Sequence, residues 1–210
     1  MSTRSSQSVI YSAVEGETDE VVVRHLFECL GGVVLGGVFG KKGKAAIRQK
    51  LNGLNTTAQN IPWFVLIDLD RDYTCAPDLL REWLPRPSSF MCFRVAVRAV
   101  ESWLLADREH IAQFLQVSEK KVPIHPENLN DPKQEIIKLA MQSRDHDIRE
   151  DMLPREGSEI KIGPLYNDRL REFVTHPKIG WRPEVAAKHS DSLKRCLQAI
   201  KRMKEKGSYG

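Results

Sequence analysis

The stretch Val9–Leu30, VIYSAVEGETDEVVVRHLFECL, constrains the fold of this chain more than any other. Val9, Ile10, Tyr11, Ala13 and Val14 make an apolar run of strand length. Gly16 supplies a tight turn, and Thr18 is expected to cap the helix that follows. Val22, Val23, Leu26, Phe27 and Leu30 then recur at helical spacing. A strand, a turn and a helix in that order begin an α/β fold. Glu15, Glu17, Asp19 and Glu20 fall where the strand ends and the helix starts, the place where open α/β sheets bind ligands.

A second acidic stretch has the same setting. In Trp63–Asp72, WFVLIDLDRD, an apolar run ends in Asp68, followed by Asp70 and Asp72. Strand alternation is expected to put Asp68 and Asp70 on one side. Carboxylates gathered at a strand end repel one another unless a cation neutralises them. Mg²⁺ or Mn²⁺ suits such hard oxygen donors. The plainer alternatives are a helix-dipole role for Asp19 and Glu20 and a solvated turn for the three aspartates.

The rest of the chain repeats the alternation. Val33–Phe39 reads as a strand, and a helix is expected from about Lys44. Pro77–Leu84 reads as a short helix, Phe90–Val97 as a further strand, and Arg98–Asp107 as a helix with Glu101 near its start. Such alternation predicts a mostly parallel, Rossmann-like sheet with helices on both faces. Glu101 is placed either in the metal cluster or in a pair with Arg98. Beyond Asp107 the texture becomes helical, with Pro132 opening one helix, Gly163-Pro164 preceding another, and Ser190–Lys206 closing the chain. Lys206 is expected on the outer face of that last helix, and Arg144–Gly157 is expected to be charged and mobile. An α/β core over residues 1–115, with a helical C-terminal elaboration over 116–210 packed on it, is the simplest division.

The segment Gly40–Leu51, GKKGKAAIRQKL, carries Lys41, Lys42, Lys44, Arg48 and Lys50 and no acid. A basic, glycine-containing loop at a helix N-terminus suits phosphate, and these five residues are the expected nucleic-acid contacts. The alternative is a solvated basic face. The glycine spacing is not that of a P-loop, so ATP hydrolysis is not expected here. Net charge is only +4, so clustering carries the argument rather than the total.

Composition excludes several classes. The four cysteines are scattered without a CxxC pair, and the six histidines form no HExxH, which argues against a zinc enzyme and a disulfide framework. Cys29 and Cys92 read as small core residues. No apolar run approaches the about 20 residues that span a bilayer. The N-terminal MSTRSSQ lacks the apolar core of a signal peptide, so no membrane partner and a cytoplasmic location are expected.

With these residues in place, the pattern resembles the TOPRIM domain of topoisomerases, primases and overcoming-lysogenization-defect (OLD) nucleases. Glu15-Gly16 corresponds to that family's Glu-Gly after the first strand, and Asp68-Leu69-Asp70 to its later Asp-x-Asp. More closely, the chain resembles uncharacterised bacterial TOPRIM-like proteins, through Glu15–Glu20, Asp68–Asp70, Glu101–Asp107 and Gly163–Val174 in that order. The resemblance implies an Mg²⁺- or Mn²⁺-dependent nuclease in DNA repair or phage defence, acting on nucleic acid with DNA expected ahead of RNA, beside an ABC/SMC-type ATPase. It implies Glu15, Asp68 and Asp70 as catalytic ligands of a first ion, with Asp19, Asp72 and Glu101 helping to hold a second. It also implies an assisting lysine, with Lys161 the first choice and Lys133 the alternative. The rival readings are a non-catalytic nucleic-acid-binding or regulatory subunit of an ATPase complex, and a nucleotidyl- or phosphotransferase.

Overall fold

The computed structural model describes residues 8–207. The N-terminal MSTRSSQ and the side chain of Lys206 lie outside the described residues. The chain forms two compact units, Met1–Val95 with Arg195–Gly210, and Ala96–Lys194. The boundary therefore falls at the end of the last strand rather than after residue 115, and the closing helix returns to the first unit.

The first unit is an α/β layer structure. Its elements run β1 (Ser8–Val14), α1 (Glu17–Leu30), β2 (Val33–Gly40), α2 (Lys44–Thr57), β3 (Trp63–Asp68), α3 (Ala76–Trp83) and β4 (Met91–Ala96). The four strands form one parallel sheet in the order β2-β1-β3-β4. Alternation along each strand sets its two faces. On one face Phe27 of α1 meets Phe64 edge-on, with centroids 5.4 Å apart. The closing helix α10 (Asp191–Gly207) joins that side, where Lys204 Nζ reaches the α1 carbonyl of Leu30. On the other face Trp83 of α3 stacks on Phe93 of β4, and Arg48 of α2 lies 4.9 Å from the Trp83 ring centre. Helices thus cover both faces, as the alternation predicts.

Because α1 and α3 take opposite faces, the connections that leave the C-terminal ends of the adjacent strands β1 and β3 run to opposite sides of the sheet. This is the switch point at which doubly wound sheets open a crevice. Gly40 closes β2 beside it with φ +99°, and a Cβ there would lie 2.3 Å from the Val14 carbonyl oxygen. Only glycine lets β2 turn so close to β1.

Three local expectations change. Helix α1 starts one residue after Gly16, so Thr18 lies inside it and Asp19 does the capping: its Oδ2 accepts the Gly16 N–H at 2.7 Å. Strand β3 stops at Asp68; Leu69 is buried and Asp70 adopts φ +54° in a turn, so strand alternation does not relate the two aspartates. Cys92 is buried as expected, but Cys29 is exposed on α1.

The second unit is helical: α4 (Val100–Leu105), α5 (Arg108–Phe114), α6 (Pro132–Met141), α7 (His146–Met152), α8 (Tyr166–Thr175) and α9 (Pro183–Ala186). Its core holds Trp103, Tyr166, Phe173 and Trp181. The Trp181 indole donates to the Trp103 carbonyl at 2.9 Å, and the Trp103 indole donates to Ser192 Oγ at 2.7 Å. The charged stretch Arg144–Gly157, expected to be mobile, contains α7. Asp145 caps that helix, Ile148 and Met152 bury its inner face, and Arg169 grips Asp151 at 2.7 Å.

Candidate functional site

The acidic stretches that follow β1 and β3 meet at the β1/β3 switch point. Glu15, the first residue after β1, turns its carboxylate onto the end of β3, where Oε1 accepts the Asp68 backbone N–H at 2.8 Å. Burial pushes the Glu15 carboxyl up from 4.5 to about 7, against the lowering effect of that hydrogen bond. Asp19 and Asp70 push it further in the same direction, and Lys44 opposes them. Glu15 therefore sits in a crowd of negative charge that is only partly relieved.

Lys44 brings a cation into this crowd. Its Nζ donates to the Leu69 carbonyl at 3.1 Å, to Asp70 Oδ2 at 2.9 Å and to Asp72 Oδ2 at 2.9 Å. Burial works against its charge, but the two aspartates hold its pKa above the ordinary lysine value. Sequence reasoning assigned Lys44 to nucleic acid and missed this role. The signal was present: Lys44 is the first residue of α2, a helix with no acid in its first turn. A cation at the positive end of a helix dipole needs carboxylates from elsewhere.

The other basic residues divide similarly. Lys41 pairs with Glu20 at 2.8 Å, and Arg48 with Glu82 at 3.1 Å. Burial acts against the Glu20 charge, yet hydrogen bonds from Lys41 and Arg24 keep its carboxyl below the ordinary range. Lys42 and Lys50 are exposed, with no ion pair among the described residues.

Glu101, Lys133 and Lys161 belong to the second unit. Glu101 is buried, and Lys133 Nζ lies 3.4 Å from its Oε1. The same ammonium lies 5.9 Å from the centre of the Tyr166 ring. Burial, then the carboxylates of Glu101 and Asp131, hold the Tyr166 phenol well above its ordinary pKa. Lys161 instead lines a shallow polar depression with Asp131, Gln134 and Arg155. Of the two lysines left open by the sequence, Lys133 is the one placed on an acid of the predicted set.

Among the described residues, no group of three or more His, Cys, Asp or Glu side chains converges as a ready metal cage. The donor chemistry of Glu15, Asp68 and Asp70 nevertheless fits a hard divalent cation, which selects carboxylate oxygens. Burial first, and then the carboxylates of Asp19 and Asp70, raise the Glu15 pKa, and a bound cation would offset both.

No family model, curated protein or solved structure matches this chain. The chemistry of the site is therefore read from its own residues.

Proposed function

We propose that this protein is an Mg²⁺- or Mn²⁺-dependent nuclease of the TOPRIM type, hydrolysing phosphodiester bonds in DNA in preference to RNA. The observation that carries this reading is the Glu15–Asp68 hydrogen bond, which joins the two acidic motifs at the sheet's switch point. Glu15, Asp68 and Asp70 would hold a first cation, and Asp19 and Asp72 are the further carboxylates of the same unit. A bound divalent ion would supply an activated water and stabilise charge on the phosphoryl and leaving oxygens. The Asp68 N–H fixes the direction of the Glu15 carboxylate. Lys44 holds Asp70 and Asp72 together and keeps their repulsion from opening the turn after β3. Lys42 and Lys50 give the phosphate backbone exposed cations without reading sequence. An ABC/SMC-type ATPase is the proposed partner for any ATP-driven step.

The test is cleavage of supercoiled plasmid, linear DNA and RNA with Mg²⁺ or Mn²⁺, comparing the wild type with Asp68→Ala and Glu15→Ala. Metal-dependent cleavage lost in both variants supports the reading, and cleavage that persists in both overturns the site. One observation favours a second reading. Lys44 already neutralises Asp70 and Asp72, as it would in a metal-free module that binds nucleic acid or regulates an ATPase. That reading expects no cleavage, and nucleic-acid binding that survives Asp68→Ala.

A further inference from the structure

The first unit contains a cavity at the other end of its sheet, away from the strand ends that carry the acids. It opens beside Pro62, Phe90 and Met91, where β3 and β4 begin, and has a volume of about 380 Å³. Its walls are apolar: Leu80, Leu84 and Phe93 from the α3 and β4 layer, and Ala199 and Met203 from α10. Pockets of this size and character hold small organic ligands.

Its charges are one-sided. Arg94 and Arg202 line it, and among the described residues no Asp or Glu does. Neither guanidinium has a carboxylate partner among the described residues. Arg94 lies inside β4, and its Nε is buried with no hydrogen-bond partner among the described residues. A desolvated guanidinium donor left unsatisfied is costly, and such groups are otherwise found paired. The planar guanidinium fork matches a carboxylate or phosphate in two parallel hydrogen bonds. An apolar chamber with two unpaired guanidiniums therefore selects a ligand with an apolar body and one anionic head.

We infer that this cavity binds a small amphipathic anion, such as a medium-chain acyl carboxylate or alkyl phosphate, with its head on Arg94 and Arg202 and its chain between α3, β4 and α10. This site is separate from the acidic switch point and does not depend on the nuclease reading.

The experiment measures binding to the full chain by displacement of anilinonaphthalene sulfonate, using decanoate, decyl phosphate and decanol below their aggregation limits. Decanoate or decyl phosphate is expected to bind about tenfold or more tightly than decanol, because only the anions satisfy the guanidiniums. Whichever anion binds more tightly identifies the source as a free carboxylate or a phosphorylated headgroup. Arg94→Met is expected to bring the anion down to the level of decanol. Arg202→Met, at an exposed helix position, is expected to lower it in the same direction and carries the test if Arg94→Met does not fold. Ala199→Trp, which fills the chamber from α10, is expected to abolish binding of all three while circular dichroism stays unchanged. Equal affinity for decanol and the anions, no binding of any of the three, or anion affinity unchanged in Arg202→Met and in folded Arg94→Met overturns the inference.

Discussion

Glu15 Oε1 accepts the backbone N–H of Asp68 at 2.8 Å, which ties two acidic motifs 53 residues apart into one site. Burial pushes the Glu15 carboxyl up from an ordinary 4.5 to about 7 in the folded chain. Between those values the folded state binds more protons than the unfolded state. Stability therefore falls as pH rises through that window, by about 3 kcal/mol in all. Glu15→Gln is expected to flatten this slope, and added Mg²⁺ should restore stability above pH 7 in the wild type but less in the variant. Hydrogen exchange of the β1 and β3 amides across the window reads the effect locally. Parallel pH slopes in the two proteins would show that burial of Glu15 costs nothing.

Lys44 pairs with Asp70 and Asp72, two of the carboxylates proposed to hold metal, and its removal separates the two functional readings. Asp70 and Asp72 keep substantial solvent exposure, so Lys44→Met is expected to cost only about 1 kcal/mol of stability. It also removes an opposing cation from Glu15, Asp70 and Asp72. If these acids hold a divalent ion, Mn²⁺ affinity should rise by about tenfold, which calorimetry or electron paramagnetic resonance would detect. Unchanged Mn²⁺ affinity favours the metal-free module.

The contrast between these two residues shows what the sequence made legible. Glu15 and Asp68 were readable because each follows an apolar run bounded by glycine or a change to polar residues, and a strand end is a definite place. Asp70 was misplaced because Asp-Leu-Asp has strand periodicity, while buried Leu69 and the left-handed turn at Asp70 end the strand. The α7 helix was hidden because only Ile148 and Met152 bury within a charged stretch, and its support comes from Asp145 and Arg169. Tertiary pairs such as Asp107–Arg182, 75 residues apart, leave no local pattern at all.

That pair carries a stability prediction for the second unit. Asp107 is fully buried and accepts from the Arg182 side chain at 2.7 and 3.0 Å and from its backbone N–H at 2.9 Å. Asp107→Ala is expected to destabilise this unit by about 3 kcal/mol, since a buried hydrogen-bonded carboxylate is lost and the Arg182 N–H is orphaned. Glu109 also pairs with Arg182, at 2.8 Å, but its side chain is exposed, so Glu109→Ala should cost under about 1 kcal/mol. Thermal unfolding of the two variants measures the difference, and equal losses would refute the assignment of Asp107 as the anchor.

Nucleic-acid binding should divide the basic segment according to its ion pairs. Lys42 and Lys50 are exposed without carboxylate partners among the described residues, whereas Arg48 is held by Glu82 and by the Trp83 ring. Each phosphate contact contributes about 0.9 to the slope of log affinity against log salt on duplex DNA. The double variant Lys42→Ala, Lys50→Ala is therefore expected to reduce that slope by about 2 and to weaken binding evenly across sequences. Arg48→Ala should lower thermal stability while changing the slope by less than one contact. Fluorescence anisotropy of a labelled duplex between about 50 and 200 mM salt reads both quantities. A slope untouched by the double variant would move the nucleic-acid surface away from Gly40–Leu51.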